Sequence, residues 1–498
     1  MKFTILFGGK AGQGPNILST LLGQALINRG YYVFMSRDYE SVIRGGHNFN
    51  VITFSDEQIY SNESKVDLIV ALDENTINLH KKKLKRDGSI IQGEGKGNMY
   101  FAGRIYKLLC IDFKVLEEQL RELKQRFEEN VKEAMEGYNS EIKSACKVEI
   151  SKRKLFFMNG NKGISDGAVK SGIDVYFAYP MTPATNVISE LAERQLENNF
   201  VVMELENEIA VINAAIGSAI TGAKAMIGTS GGGFDLMTEA LSLTGIAETP
   251  LVIYLASRPG PSTGIATYTG QGDLDLARHS GHGEFPRLVV APGDPVEAEE
   301  LTSQAFFFSQ EFGIPAIVLS DKHLAESSYT TNEIAMITLS KKRTELKRYN
   351  SYETDEFGNV AENPERIIRN VDERNEKQKK INREAERFEN YKIYGNKNSK
   401  NVVVSYGSTK GAIVDSIKNL DVKFVQILYL EPFPEKIKKE IEGKNIILVE
   451  NSATGQLAKL IAEKTGIFID DKNKILRYDG RPFLHDELSE EIKRRLRR

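Results

Sequence analysis

Short apolar runs of strand length alternate with helical patterns along most of this chain, and polar stretches divide the alternation into three blocks. That pattern admits sheets covered by helices and excludes all-helical and all-β folds. In residues 1–110 the runs Phe3–Phe7, Tyr31–Met35, Val51–Phe54 and Val66–Leu72 predict strands. With helical patterns between them, they argue for a parallel sheet. Residues 112–147 follow as a charged tail in which Leu116, Leu120 and Leu123 recur at helical spacing. A second block, from near Gly160 to Glu326, carries six runs: Asp174–Ala178, Val201–Met203, Ala223–Gly228, Leu251–Leu255, Arg287–Val290 and Pro315–Leu319. Six strands suffice for a doubly wound parallel sheet. Ser327 to Lys400 is polar and holds the charge run Asp372 to Lys380, read as a connector with one exposed helix. Asn401-Val-Val-Val-Ser405 then opens a third, smaller αβ block, continued by Phe424–Tyr429 and Ile446–Glu450. The 498 residues fit about three domains of ordinary size, expected at 1–150, 155–330 and 401–498 with 331–400 as the connector.

Composition narrows the function. A formal net charge of −3 gives no basic field of the kind that nucleic-acid binding requires. No stretch approaches the ~18 to 20 apolar residues of a membrane helix, and Met1 to Phe7 is too short for a signal-peptide core. The expectation is a cytoplasmic protein without nucleic-acid or membrane partners. The two cysteines, Cys110 and Cys146, stand in no metal-binding spacing and cannot ligate a four-thiolate cluster.

Four stretches carry chemistry. Ser257-Arg-Pro-Gly-Pro-Ser-Thr-Gly264 sets one arginine in a loop of Gly and Pro directly after an apolar strand, and it continues through Gln271-Gly-Asp273. A guanidinium presented there pairs bidentately with a small carboxylate. Tyr179-Pro-Met-Thr-Pro183 also ends a strand, its prolines fixing the direction of the Thr182 hydroxyl; by itself it reads equally as a plain turn. Glu208 opens the expected helix Asn207–Thr221, and the spacing 208, 212, 215, 219 sets its carboxyl on an apolar face, which favours the neutral form. The alternative is an acid that merely complements the helix N-terminus, as its neighbours Glu204 and Glu206 would. Ser230-Gly-Gly-Gly233 lies between a strand and the helix expected from Asp235, where a ligand can touch backbone. Near the start, Gly8-Gly-Lys-Ala-Gly-Gln-Gly14 and Arg44-Gly-Gly-His47 admit either a phosphate at a helix N-terminus or a tight structural turn; the first lacks GxGxxG spacing. His279 and His282 have no third ligand nearby in sequence, and no metal site is assigned.

Taken together, these segments resemble the thiamine-dependent 2-oxoacid:ferredoxin oxidoreductases of the 2-oxoglutarate synthase type, an alpha subunit with a gamma domain fused ahead of it. Leu430-Glu-Pro-Phe-Pro434, Glu450-Asn-Ser452 and Tyr478-Asp-Gly-Arg-Pro-Phe483 extend the resemblance to the third block. It implies a gamma domain, then a pyrimidine-type thiamine diphosphate domain, then a transketolase C-terminal-like domain. Glu208 matches the family's catalytic glutamate, which shares a proton with N1′ of the aminopyrimidine. Thr182 and Arg258 match the residues that hold the 2-oxoacid. Tyr179, Pro180, Ser230, Gly231 and Gly232 fall at the cofactor, and Arg44 lies beside the route of coenzyme A. The implied reaction is coenzyme A-dependent oxidative decarboxylation of a 2-oxoacid, with electrons passing to ferredoxin. Thiamine diphosphate sites also carry a Gly-Asp-Gly signature and a later Asn for magnesium, and this sequence has none. The resemblance therefore implies a beta subunit that brings Mg2+ and [4Fe-4S], in an αβ or (αβ)2 assembly. Rival readings are a non-oxidative thiamine decarboxylase or transketolase-like subunit, and a nucleotide-binding regulatory protein.

Overall fold

The computed structural model describes residues 1–40, 46–93, 95–123, 126–340 and 350–497. They divide into two compact units: Met1–Met158 with Ser327–Glu333 and Leu484–Glu490, and Asn159–Glu326 with Ile334–Phe483 and Glu491–Arg498.

The first unit is built on strands β1 (Lys2–Lys10), β2 (Tyr32–Tyr39), β3 (His47–Ser55), β4 (Val66–Ala71), β5 (Leu84–Gln92) and β6 (Phe156–Asn159). With the strand Ser328–Thr331 they form a seven-stranded sheet, ordered β5, β4, β1, β3, β2, Ser328–Thr331, β6. The sheet is mixed where a parallel one was expected. β1, β4 and β5 run parallel, but β3 lies antiparallel to both β1 and β2. Chain length supplies the reason: only residues 40–46 join β2 to β3, too few for the helical crossover a parallel pair needs. The helix Pro15–Asn28 covers this sheet through Leu18, Leu22, Ala25 and Leu26, which pack on Ile5, Phe7, Val33 and Ile52. The leucine-spaced tail forms helices Phe113–Glu122 and Phe127–Ser140.

The second unit holds the central sheet: β7 (Val175–Ala178), β8 (Val201–Glu204), β9 (Ala225–Thr229), β10 (Leu251–Ser257), β11 (Leu288–Val290) and β12 (Pro315–Asp321). All six expected strands are present, and all pair parallel. The order is β8, β7, β9, β10, β12, β11, closed by an antiparallel seventh strand, Tyr429–Glu431. Side chains alternate as the pleat requires. Val175, Phe177, Ile227, Ile253 and Leu255 face the helices Glu208–Ile220 and Gly231–Ile246. Tyr176, Met226, Val252 and Tyr254 face Ile164, Val187, Leu191 and the helix Pro295–Phe312. On that second face the helices Gly160–Lys170 and Pro295–Phe312 cross closely: a Cβ on Gly163 would come within 2.2 Å of the Pro295 carbonyl. A five-stranded sheet, Tyr391–Gly395, Lys423–Ile427, Asn401–Ser405, Asn445–Glu450 and Lys474–Leu476 in spatial order, forms the third block. The charge run of the connector lies in the helix Pro364–Ala385, of which only Ile381 and Ala385 are buried.

Candidate active site

In chain order β7 is followed outward by β8, and the chain then crosses back over β7 to β9. The direction of winding therefore reverses between β7 and β9, and ligands of open α/β sheets sit in the crevice outside the carboxyl ends at such a point. Each of the four stretches singled out in the second block leaves the carboxyl end of one of four neighbouring strands. Tyr179 to Pro183 follows β7, Glu208 follows β8, Ser230 to Gly233 follows β9, and Arg258 follows β10.

Glu208 opens the helix Glu208–Ile220, whose N-cap Asn207 accepts a hydrogen bond from the Ala210 N–H at 2.9 Å. Burial separates it from its neighbours: Glu208 is 5% exposed, whereas Glu204 and Glu206 are exposed. The buried stripe Glu208, Val211, Ile212, Ala215, Ile216 and Ala219 contains the expected face. The carboxyl lies against Gly233, where an added Cβ would come within 2.7 Å of Glu208 Oε1 and 2.2 Å of Thr229 Oγ1.

The glycines after Ser230 are not a loop. They form the first turn of the helix Gly231–Ile246, with Ser230 as N-cap. A first helical turn presents N–H groups that have no partner within the helix. The Ser230 hydroxyl is fully buried and makes no hydrogen bond among the described residues. Gly231 is covered by Asp273, whose Oδ2 would lie 2.7 Å from a Cβ there, and Gly232 has open space up to the Ser262 carbonyl at 4.0 Å. Two carboxylates thus flank the helix start, with a glycine cradle between them.

Arg258 is partly buried, and its Nη1 donates to the Thr182 carbonyl at 2.9 Å, joining two of the expected substrate residues directly. The carboxylates that act on it electrostatically are Asp273 and Glu208; burial outweighs them and pulls the guanidinium below its usual pKa. The arginine loop folds back on itself. The Ile265 N–H donates to the Pro259 carbonyl at 3.1 Å, and Gly270 packs on Pro259. Tyr179 is exposed and Pro180 and Thr182 are partly so, forming a rim. Asp273 stands in the quoted sequence without an assigned role; its position after Gln271-Gly was the one available signal. His282 Nδ1 pairs with Ser242 Oγ at 3.1 Å, and His279 Nε2 with Arg278 at 3.3 Å, so the two rings take different partners.

In the first unit, the two glycine motifs meet: the Ala11 N–H donates to the Gly46 carbonyl at 3.1 Å. Gly12 and Gly14 take φ values of 90° and 89°, which only glycine adopts readily. The Gln13 N–H is engaged by the Lys10 carbonyl at 3.0 Å. Arg44 lies outside the described residues. His47 of that motif has an unforeseen partner: its Nε2 lies 2.9 Å from His80 Nε2 in a buried pair, with both Nδ1 atoms lacking a partner among the described residues.

Residues 166–393 match the family described as pyruvate flavodoxin/ferredoxin oxidoreductase, thiamine diphosphate-binding. Residues 4–97 match that described as pyruvate ferredoxin/flavodoxin oxidoreductase. The 2-oxoglutarate synthase subunit KorA of Methanocaldococcus jannaschii is 30% identical over 60% of this chain and 88% of its own length. The chain belongs to the 2-oxoacid:ferredoxin oxidoreductase family. A member from Sulfolobus sp, 2-oxoacid:ferredoxin oxidoreductase subunit alpha, is 29% identical over 99% of this chain and 96% of its own. The solved 2-oxoglutarate:ferredoxin oxidoreductase of Magnetococcus marinus, with 2-oxoglutarate, coenzyme A and succinyl-CoA bound, shares the fold with a TM-score of 0.88 over 99% of both chains at 23% identity. The family matches favour neither the non-oxidative decarboxylase nor the nucleotide-binding regulator. No helix among the described residues is long and apolar enough to cross a membrane.

Proposed function

We propose that this chain is the fused alpha and gamma part of a 2-oxoacid:ferredoxin oxidoreductase. With a beta subunit it converts a 2-oxoacid, first among them 2-oxoglutarate, and coenzyme A to acyl-CoA and CO2, passing the electrons to ferredoxin. The observation that carries the reading is a buried Glu208 set against a glycine cradle, beside an Arg258 anchored on Thr182 at one sheet edge.

Thiamine diphosphate fits this edge, because the Ser230 hydroxyl is a buried polar atom without a partner among the described residues and Gly232 leaves open space for close approach to backbone. When bound, the cofactor supplies a carbon nucleophile toward the keto carbon and an electron sink. Glu208 holds a proton at N1′ of its aminopyrimidine, and burial excludes the water that would compete for that proton. Ser230 offers its hydroxyl to the ring, while Tyr179 and Pro180 form the rim. Arg258 pairs with the carboxylate of the oxoacid and Thr182 hydrogen-bonds its keto oxygen, which fixes the carbonyl for attack. Arg44 is assigned to the phosphates of coenzyme A.

The diphosphate, its Mg2+ and at least one [4Fe-4S] cluster are assigned to the beta subunit, since two cysteines within these residues cannot ligate a cluster. Exposed Val201 and Met203 on edge strand β8, with Ile209 and Leu236 on the two helices that bound the site, offer apolar surface for that subunit. The assembly is αβ or (αβ)2, and its place is the cytoplasm.

Co-purification tests the reading. A smaller brown partner should accompany the chain, and the complex should reduce a viologen dye with one of 2-oxoglutarate, pyruvate or a branched-chain oxoacid. Dye reduction by the chain alone would remove the requirement for a partner. A complex inactive with every oxoacid would remove the function.

A further inference from the structure

Asp273 is a charged side chain at this edge to which the reading above gives no task, and its surroundings are specific. Its Oδ2 is buried and accepts no hydrogen bond among the described residues. The carboxyl presses on Gly231 at the start of a sixteen-residue helix, the place where an anion is most favoured. It also acts electrostatically on Arg258, as the first of the two carboxylates to do so. The groups facing it are Arg258 and Ser257 from the end of β10, Asp235 from the helix, and Tyr406 from the third block.

An arginine meant for an incoming carboxylate must be held in place without being used up. One nitrogen of Arg258 is fixed by the Thr182 carbonyl, and Asp273 compensates the charge. Once the substrate carboxylate arrives, one guanidinium serves both Asp273 and the ligand. Two like charges in a partly buried site repel strongly. We propose that Asp273 is a positioning residue of Arg258 whose carboxyl takes up a proton from solvent when the carboxylate of a 2-oxoacid binds. The environment is already biased in that direction. Burial pushes the Asp273 pKa up, the Ser257 hydroxyl and Arg258 pull it back, and Asp235 adds to the rise. Ionised Asp273 competes with the substrate for Arg258, and neutral Asp273 releases it. Oxoacid affinity therefore strengthens as pH falls through this group's pKa and weakens above it.

The inference rests on the function proposed above, and the experiment separates the two. In the complex with its partner, kcat/KM for the oxoacid should fall by up to about tenfold per pH unit above the Asp273 pKa. Asp273→Asn should flatten that profile, leaving the KM for coenzyme A and its pH dependence unchanged. Calorimetry on the wild-type complex with oxamate and N-oxalylglycine, in two buffers of different ionisation enthalpy, needs no variant and should show net proton uptake for whichever analogue binds. An unaltered slope in Asp273→Asn, or binding without proton uptake, overturns the inference while leaving the function standing. Absence of oxoacid turnover in the wild-type complex overturns both.

Discussion

Replacing Gly233 by alanine tests the site through its packing and removes no functional group. The added methyl would come within 2.7 Å of Glu208 Oε1, 2.8 Å of its Cγ and 2.2 Å of Thr229 Oγ1. Relief means moving the Glu208 carboxyl by about 0.7 Å or more, and a displacement near 1 Å at a reacting group costs on the order of 100-fold in rate. Alanine is also worth about 1 kcal/mol more than glycine within a helix, so the helix Gly231–Ile246 gains part of what the crowding costs. The expected outcome is a turnover lowered about 100-fold with assembly and melting temperature nearly unchanged. Glu208→Gln, which removes the shared proton at constant shape, should lower turnover by about two to four orders of magnitude. Turnover and exchange of the cofactor's C2 proton would be measured side by side in the complex. If Gly233→Ala exchanges that proton and turns over within a few-fold of wild type, Glu208 is not the group that activates the cofactor, and its burial beside Gly233 is only packing.

Arg258→Ala should lose roughly 2 to 4 kcal/mol of oxoacid binding and positioning, the range for a charge-assisted pair whose partner is left unpaired. Arg258→Lys should recover only part of this, because a point charge does not reproduce the bidentate fork; an unchanged KM and kcat for the oxoacid in Arg258→Ala would assign its carboxylate to another residue. The His47 and His80 pair predicts acid sensitivity in the first unit. Burial is the largest cause holding His80 down to about 3, and it lowers His47 as well. The stabilisation is complete above the unfolded value near 6.5 and is lost as pH falls below it, by about 1.4 kcal/mol per unit for His80, or roughly 2 kcal/mol at pH 5. Hydrogen exchange along β1 and β3 at about pH 7.5 and about pH 5, either side of the unfolded value, should reveal this loss in wild type and a smaller one in His80→Phe; equal losses would contradict it.

Local pattern carried the sequence reading as far as local pattern reaches. The inner strands of the central sheet are apolar on both faces because each face is covered, so β7 and β9 to β12 stand out as continuous runs, while β8 is an exposed edge strand. The helix of Glu208 falls between its N-cap Asn207 and C-cap Thr221, the two residues that bounded the expectation. Strands that owe their existence to distant partners left no such mark. Ser328–Thr331 pairs with β2 across almost 300 residues, and Tyr429–Glu431 pairs with β11 across about 140; neither run is long or apolar enough to be read alone. β5 is an edge strand with a polar middle, Lys85-Arg-Asp-Gly88, and was missed for that reason. Chain direction within the first sheet was misjudged because alternation says that a sheet exists, while connection length decides which strands can run parallel.

The glycines at 231 to 233 show why the site was harder to read than the fold. Three consecutive glycines are poor helix formers, so propensity alone places them in a loop. Their reason for being glycine lies in side chains elsewhere in the sequence: Asp273 occupies the space of a Cβ at Gly231, and Glu208 and Thr229 occupy that at Gly233. The helix can start at Ser230 because those carboxylates and the hydroxyl take the place that side chains would have filled. Conversely, the carboxylates can lie so close to the helix start because nothing projects from it. Arg258, acted on by both acids and tied to Thr182, completes an arrangement in which each residue type is explained by the others. Read singly, Glu208 is an acid at a helix N-terminus, Gly231 to Gly233 a stretch where a ligand can touch backbone, and Arg258 a guanidinium presented to a small carboxylate. Only the reversal of winding between β7 and β9 brings the four strand ends together, and that reversal is a property of strand order, which no window of sequence contains.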